Sequence, residues 1–362
     1  MITGGSANHL SAVEAKSRAH ALAFGPFAFQ ASMSLRDLGI LAALDKAGTT
    51  PRTEGALAEE TGLSEYAVSV LLDFGAHLGL VAREDGGWLL DKVGHFMLHD
   101  EMTRVNCDFT RDVCYHALDY LDESLRKGEP AGLHTLGPWS TVYEGLAELA
   151  EPARTSWFRF DHLYSDRVFN DLLPLIFDRP VKQLMDVGGN TGRWARRCLE
   201  HDPEVTVTLV DLPGQLEKAQ ERLAEAGHTE RVGFHAADML DDSQPLPEGA
   251  DVIWMSQFLD CFSADQIVGI LRRARAAMGA QTRLFIVELF PDRQAFEAAA
   301  YSLDATSLYF TCVANGNSRM YPERQFTALL AGAGLVVEQS WDNVGVGHTA
   351  LCCRLDHTNT DS

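Results

Sequence analysis

The pattern of apolar and polar positions changes character near residue 183. Before it, apolar residues recur at helical spacing; after it, short apolar runs alternate with amphipathic stretches. QLMDV (183–187), VTVTLVDL (205–212), VGFHAAD (232–238), DVIWMSQFL (251–259) and RLFIVELF (283–290) read as strands. TGRWARRCLEHD (191–202), PGQLEKAQERLAEAG (213–227) and SADQIVGILRRARAAMG (263–279) read as the helices between them, with Pro213 in a first turn and Ser263 as an N-cap. A long helical stretch runs to about residue 314 and another helix covers 322–333. LVVEQSWDN (335–343) and TALCCRL (349–355) are close enough to form a hairpin. The pattern predicts an α/β fold over 183–356: a Rossmann-like, doubly wound sheet with an antiparallel closing hairpin.

Upstream, residues 101–182 read as mainly helical, with the amphipathic SWFRFDHLYSDRVFNDLLPLIF leading into the sheet domain. Residues 1–100 have a different design. TEGALAEETGLSEYAVSVLLDFGAHLGLV (53–81) reads as helix, turn at Thr61-Gly62, and a second helix from Ser64. VAREDGGWLLD (81–91) follows as a hairpin. Helix-turn-helix plus hairpin is a winged-helix pattern. A DNA-reading helix needs basic side chains, yet SEYAVSVLLDFGAHLG contains no Lys or Arg, and residues 36–98 hold five Lys/Arg against ten Asp/Glu. The pattern therefore predicts a winged-helix-like dimerisation domain.

Charge supports that choice. A formal net charge of −21 repels DNA, RNA and anionic lipid, so neither nucleic acid nor membrane is an expected partner. The chain shows no leader-like N-terminus and no apolar run long enough for a span, and its seven cysteines form no C-x-x-C pair. A cytoplasmic protein with reduced cysteines is expected.

The candidate chemistry sits at DVGGNTG (186–192). A dinucleotide loop would carry glycine where Val187 stands, and a phosphate loop would need Gly-Lys-Ser/Thr. Asp186 at the loop entrance would repel a pyrophosphate and welcome a cation. S-adenosylmethionine (SAM) carries an ammonium and a sulfonium and no phosphate. Asp211, 25 residues on, ends the next strand, where a carboxylate accepts from both ribose hydroxyls. Asp238 stands where it accepts from the adenine amino group, and Phe262 where it stacks on the ring.

With DVGGNTG, VDLP (210–213), AADM (236–239), SQFLDCFS (256–263) and IVE (286–288), the chain resembles the class I SAM-dependent methyltransferases of the caffeate and hydroxyindole O-methyltransferase type. The resemblance covers nearly the whole chain and implies a homodimer. It implies cofactor contacts from Asp186, Gly188, Gly189, Gly192, Asp211, Leu212, Asp238, Met239, Ser256, Phe262 and Ser165. It also implies an acceptor pocket touched by Phe160 and Tyr164, roofed by the helix SLDATSLYFTCVANGN, on which Asp304, Ser307 and Thr311 recur at helical spacing. That stripe reads equally as the polar edge of a core helix. SQFLDCFS and NGNSRMY (315–321) are similar to a bacterial branch associated with aryl polyene pigments.

One departure matters. The family's base is a histidine in a His-Asp-Trp run; here the run is Asp260-Cys261-Phe262. An ordinary carboxylate, with a pKa of about 4, is a weak base for a phenol of pKa about 10, although burial raises it. Glu288 matches the first of the family's two supporting carboxylates; the second falls near Met320. Asn190 replaces a loop glycine. Three readings follow: Asp260 with Glu288 as base, another histidine (His162, or less favourably His348) as base, or methylation of carbon with Asp260 orienting the substrate hydroxyl. A metal is not expected, because no H-x-H or H-x-x-x-H spacing is read in the chain to support one. The acceptor is expected to be a small aromatic hydroxy compound, free or carrier-bound. A SAM-binding regulator without turnover is the rival reading.

Overall fold

In the computed structural model, which describes residues 10–357, the chain divides into two compact units at Asp112/Val113. The first holds α1 (Ala12–Ala23), α2 (Gly25–Asp37), α3 (Ile40–Ala47), α4 (Glu54–Thr61), α5 (Glu65–His77), the hairpin strands β1 (Val81–Glu84) and β2 (Gly87–Leu90), α6 (Lys92–His99) and α7 (Glu101–Phe109). Thr53 and Ser64 cap α4 and α5 by accepting backbone N–H groups, and Gly62, left-handed, ends α4. Leu41, Leu44, Leu57, Val68, Leu72 and Trp88 form its core.

The second unit holds α8 (Leu121–Lys127), α9 (Val142–Gly145), α10 (Ala153–Ser165), α11 (Phe169–Ile176) and then the sheet domain. There, β3 (Gln183–Val187), α12 (Arg193–His201), β4 (Thr206–Asp211), α13 (Pro213–Glu225), β5 (Val232–Ala236), β6 (Val252–Ser256), α14 (Ala264–Ala277) and β7 (Arg283–Glu288) alternate. After them come α15 (Glu297–Tyr309), α16 (Glu323–Gly332), β8 (Leu335–Val344) and β9 (His348–Leu355). Ser263 caps α14 in a capping box with Gln266.

The sheet order is β5-β4-β3-β6-β7-β9-β8, parallel from β5 to β7 and antiparallel in the last two pairings. Strands buried on both faces explain the near-continuous apolar runs. One core packs Met185, Val210, Ile253, Ile286 and Cys353 on one face. The other packs Leu184, Leu209, Trp254, Phe285 and Cys352 on the opposite face, with Trp194 stacked on Trp254 at 4.2 Å. Cys352 and Cys353 thus alternate across the sheet. No helix among the described residues is long and apolar enough to cross a membrane.

One feature of the first unit corrects the expectation that no histidine spacing suits a metal. His95 and His99 stand four residues apart on α6, an H-x-x-x-H spacing, and face Asp45 of α3.

Candidate active site

From β3 the chain winds to one edge of the sheet and returns to the other side of β3 at β6. The crevice at the carboxyl ends of β3 and β6 is the switch point, where ligands bind in such sheets. Gly188, Asn190 and Gly192 all have left-handed backbone, with φ of 71°, 48° and 75°, and turn the chain from β3 into α12. The Asn190 N–H donates to Asp211 Oδ2 at 2.8 Å, and the Leu212 N–H donates to Asp211 Oδ1 at 2.7 Å. Asp211 therefore ties the loop to the end of β4. A Cβ on Gly188 would lie 2.3 Å from the Phe258 ring, so the loop and the turn after β6 approach as only glycine permits.

Three buried polar atoms at the strand ends lack a hydrogen-bond partner here: Asp186 Oδ2 near the end of β3, Gln257 Nε2 just after β6 and Glu288 Oε2 at the end of β7. Gln257 also has left-handed backbone, φ 47°. Unsatisfied groups and strained backbone cluster at sites prepared for a ligand. Burial, reinforced by Asp211, pushes the Asp186 carboxyl up to about 8. A buried acid raised in this way would be returned to its ionised form by a cationic group beside it.

The turn after β6 carries Asp260. Glu288 Oε1 accepts the N–H groups of Phe258 at 3.2 Å and Leu259 at 2.9 Å. Asp260 and Glu288 are both buried, at 9% and 2% exposure, and line one narrow void with Leu289, Phe290, Tyr321 and Phe326. Burial pushes Asp260 up to about 6. Burial, reinforced by the Asp260 charge, pushes the Glu288 carboxyl well above the ordinary carboxylate range and so favours its neutral form. The Cys261 thiol donates to Asp260 Oδ1 at 3.5 Å.

The remaining expected residues fall into place unevenly. Ser256 ends β6, and Phe262 meets Phe258 edge-on at 4.9 Å. Asp238 is exposed, its Oδ1 accepting the Leu240 N–H. The Met239 side chain lies in the core, so its backbone rather than its side chain is available to a ligand. Phe160 and Tyr164 stand one turn apart on α10, their rings tilted by 54° with centroids 5.0 Å apart, and Ser165 ends the helix. His162 lies on α10 against Phe158 and does not line the void with Asp260. His348 is wholly buried on the Ala350–Cys352 face, opposite Glu288, and burial pushes it down to about 3, far too weak for a base at neutral pH. Asp304 is exposed. The Thr311 hydroxyl donates to Ser307 O, and the Ser307 hydroxyl donates to Leu303 O and accepts from Met320 N–H. Those two hydroxyls serve their own helix and the segment after it, which favours the polar-edge reading of the stripe.

Several residues escaped the sequence reading. Gln257 gave no signal beyond its place in SQFLDCFS. Tyr143 of α9 brings a buried hydroxyl beside the Cys261 thiol. Asn315 Nδ2 donates to Cys261 O at 2.6 Å, while its Oδ1 accepts from Asn317 N–H, Ser318 N–H and the Ser318 hydroxyl. The NGNS run thus clamps the turn that carries Asp260, and Tyr321 O–H donates to Phe262 O at 2.9 Å.

The comparisons with known proteins agree with this geometry. An O-methyltransferase domain model matches residues 164–336, and a Dimerisation2-like domain model matches residues 16–88. The chain is 30% identical to demethylspheroidene O-methyltransferase of Cereibacter sphaeroides, over 78% of this chain and 73% of that protein. The chain belongs to the SAM-dependent O-methyltransferase family. Within that family, it is 27% identical to 3-amino-4-hydroxybenzoate 4-O-methyltransferase of Streptomyces cremeus, over 85% of this chain and 82% of that one. It is 24% identical to L-tyrosine C(3)-methyltransferase of Streptomyces lavendulae, over 86% and 84%. Among solved structures, the SAM-dependent methyltransferase SibL in its apo form superimposes with a TM-score of 0.72 at 26% identity, covering 94% of this chain and 99% of SibL. The methyltransferase's crevice fits its cofactor: the orphaned Asp186 oxygen suits a cationic group, and Asp211 is a carboxylate at the end of β4.

Proposed function

We propose that this methyltransferase methylates a hydroxyl of a small aromatic acceptor, with Asp260 as the base. The observation that carries this reading is the buried Asp260, raised to about 6 and held at the switch point where the family histidine stands. The two hydroxy-acceptor relatives above support oxygen as the target. SAM, when bound, supplies a methyl group already activated on a sulfonium. The protein's own work is to orient the acceptor and take its proton. Asp186 and Asp211 hold the cofactor through its cation and its ribose, and Phe160, Tyr164 and Phe262 offer ring faces to apolar parts of the ligands. Alignment of the two reactants contributes the larger share of the rate, and proton removal adds typically ~10²–10⁴.

A base of pKa about 6 leaves a gap of roughly four units to an ordinary phenol, about 5 kcal/mol uphill. This chain therefore suits acceptors whose hydroxyl is more acidic than phenol, such as hydroxyquinones, enols and phenols bearing electron-withdrawing groups. The Dimerisation2-like match supports a homodimer, and seven free cysteines support a cytoplasmic setting.

The tyrosine C-methyltransferase relative favours a second reading. There the acceptor hydroxyl, ionised against Asp260, pushes electrons to its neighbouring carbon, which takes the methyl and then loses its ring proton.

Methyl-labelled SAM, the purified protein and a panel of hydroxy-aromatic compounds, free and carrier-bound, test both readings by mass spectrometry. NMR of the product distinguishes a methyl on oxygen from one on carbon. Transfer to acidic phenols ahead of ordinary ones supports the proposal. SAM binding without transfer to any acceptor would instead support a non-catalytic SAM-binding protein.

A further inference from the structure

We propose that Asp45, His95 and His99 form a binding site for a first-row divalent transition ion of the zinc type. The site lies in the unit that ends at Asp112 and shares no residue with the methyl-transfer crevice. His95 and His99 stand one turn apart on α6, with ring centroids 4.6 Å apart. The Asp45 carboxylate, in the last turn of α3, sends one oxygen toward each ring. Its Oδ2 is 2.9 Å from His99 Nε2 and its Oδ1 is 3.9 Å from His95 Nδ1. One donor atom from each residue lies within 4.8 Å of the other two.

Zinc holds imidazole and carboxylate donors at about 2.0–2.2 Å, which puts neighbouring donors of a tetrahedron about 3.3–3.5 Å apart. Small rotations of three partly exposed side chains close that difference. Two imidazole nitrogens and one carboxylate oxygen suit zinc, nickel or copper. They do not suit calcium or magnesium, which require more oxygen ligands.

The scaffold beneath the donors is firm. α3 is anchored by Ile40, Leu41 and Leu44, all fully buried, and α6 by Met97. Gly94, beside His95, lets α6 approach the backbone: a Cβ there would meet Leu80 O at 2.2 Å. Donors carried on packed helices are placed more reproducibly than donors on loops. The three residues supply three ligands and leave a fourth position to solvent, and the chain's acidic balance favours cations near its surface. Bound there, the ion pins α3 to α6.

The test uses the full chain, stripped with a chelator and titrated with zinc chloride by calorimetry, beside His95→Ala, His99→Ala, Asp45→Asn and the double variant His95→Ala/His99→Ala. The expected result is one zinc per wild-type chain, at least roughly tenfold weaker binding in each single variant, and loss of that event in the double variant. Zinc raises the Tm of the wild type and not of the double variant. Magnesium chloride produces neither effect. Far-UV circular dichroism checks that every variant is folded. Zinc uptake by the double variant equal to that of the wild type would place the ion elsewhere, and no uptake by the wild type at micromolar zinc would reduce the cluster to an ion pair. Either result overturns the proposal.

Discussion

Glu288 positions Asp260 through the backbone. Its carboxyl oxygen takes the N–H groups of Phe258 and Leu259, the two residues that precede Asp260, while its other oxygen stays unpaired. Burial and the Asp260 charge push Glu288 well above the ordinary carboxylate range and favour its neutral form, which an amide mimics. Glu288→Gln is therefore expected to keep kcat within a few-fold of wild type. Glu288→Leu leaves two buried N–H groups without an acceptor, at a cost of about 1–3 kcal/mol each, and should lose kcat far more than it weakens SAM binding. Steady-state kinetics of both variants with SAM titrations separate the two effects.

Asp186 is expected to make SAM binding depend on pH. Its carboxyl is raised to about 8 in the free protein, and a bound cation would favour the ionised form. Binding then releases a proton, and affinity should rise with pH, by up to about tenfold per unit, levelling off above about 8. The stability of the free protein runs the other way. A carboxyl raised above its unfolded value of about 4 contributes fully below that value, and its contribution is lost as pH rises through about 8. Calorimetry in buffers of different ionisation heat measures the proton release, which Asp186→Asn should abolish together with most of the affinity.

Gly188→Ala places a methyl 2.3 Å from the Phe258 ring at a residue whose φ is 71°. The backbone penalty alone is about 1 kcal/mol, and the clash pushes Phe258 and the Asp260 turn away from the loop. SAM affinity is expected to fall at least tenfold while the far-UV circular dichroism stays that of wild type. Gly214→Ala, with open space around its Cβ, is the control and should bind normally.

Asn315→Ala removes the clamp on the Cys261 carbonyl and the acceptor that organises residues 317 and 318. It should lower kcat by more than it weakens SAM binding, because Asn315 holds the turn that carries Asp260 and does not touch the loop after β3. Pre-steady-state transfer with radiolabelled SAM reads that difference.

The fold was legible because its signals are local. Strands buried on both faces announce themselves as apolar runs, and Ser64, Ser263 and Pro213 mark helix starts where the structure has them. The loop was legible for the same reason: Gly188, Asn190 and Gly192 take left-handed backbone, which only a few residue types accept. What escaped depends on long-range packing. Nothing in the residues around Asn315 tells that it reaches Cys261, 54 positions away, or that α9 brings Tyr143 there. The polar stripe on α15 read equally as a pocket wall and as the polar edge of a core helix, because spacing reports a shared face and not what the hydroxyls bond to. Two of them bond within their own helix and its continuation. His348, the less favoured histidine because it follows a turn-like GVG run, is buried and held neutral by its apolar face, which its sequence neighbours do not reveal. His95 and His99 show a metal spacing on their own, but the carboxylate that completes the set comes from α3, 50 residues earlier.

The central claim is that Asp260, in its ionised form, takes the acceptor's proton. The most direct test is the pH dependence of single-turnover methyl transfer, wild type beside Asp260→Asn, with an acceptor identified from the panel and SAM saturating. The wild-type rate should rise with pH through about 6 and then level. Asp260→Asn should be slower by ~10²–10⁴ and lack that rise, with SAM still bound. A variant that transfers methyl at the wild-type rate, with the same pH profile, would contradict the claim.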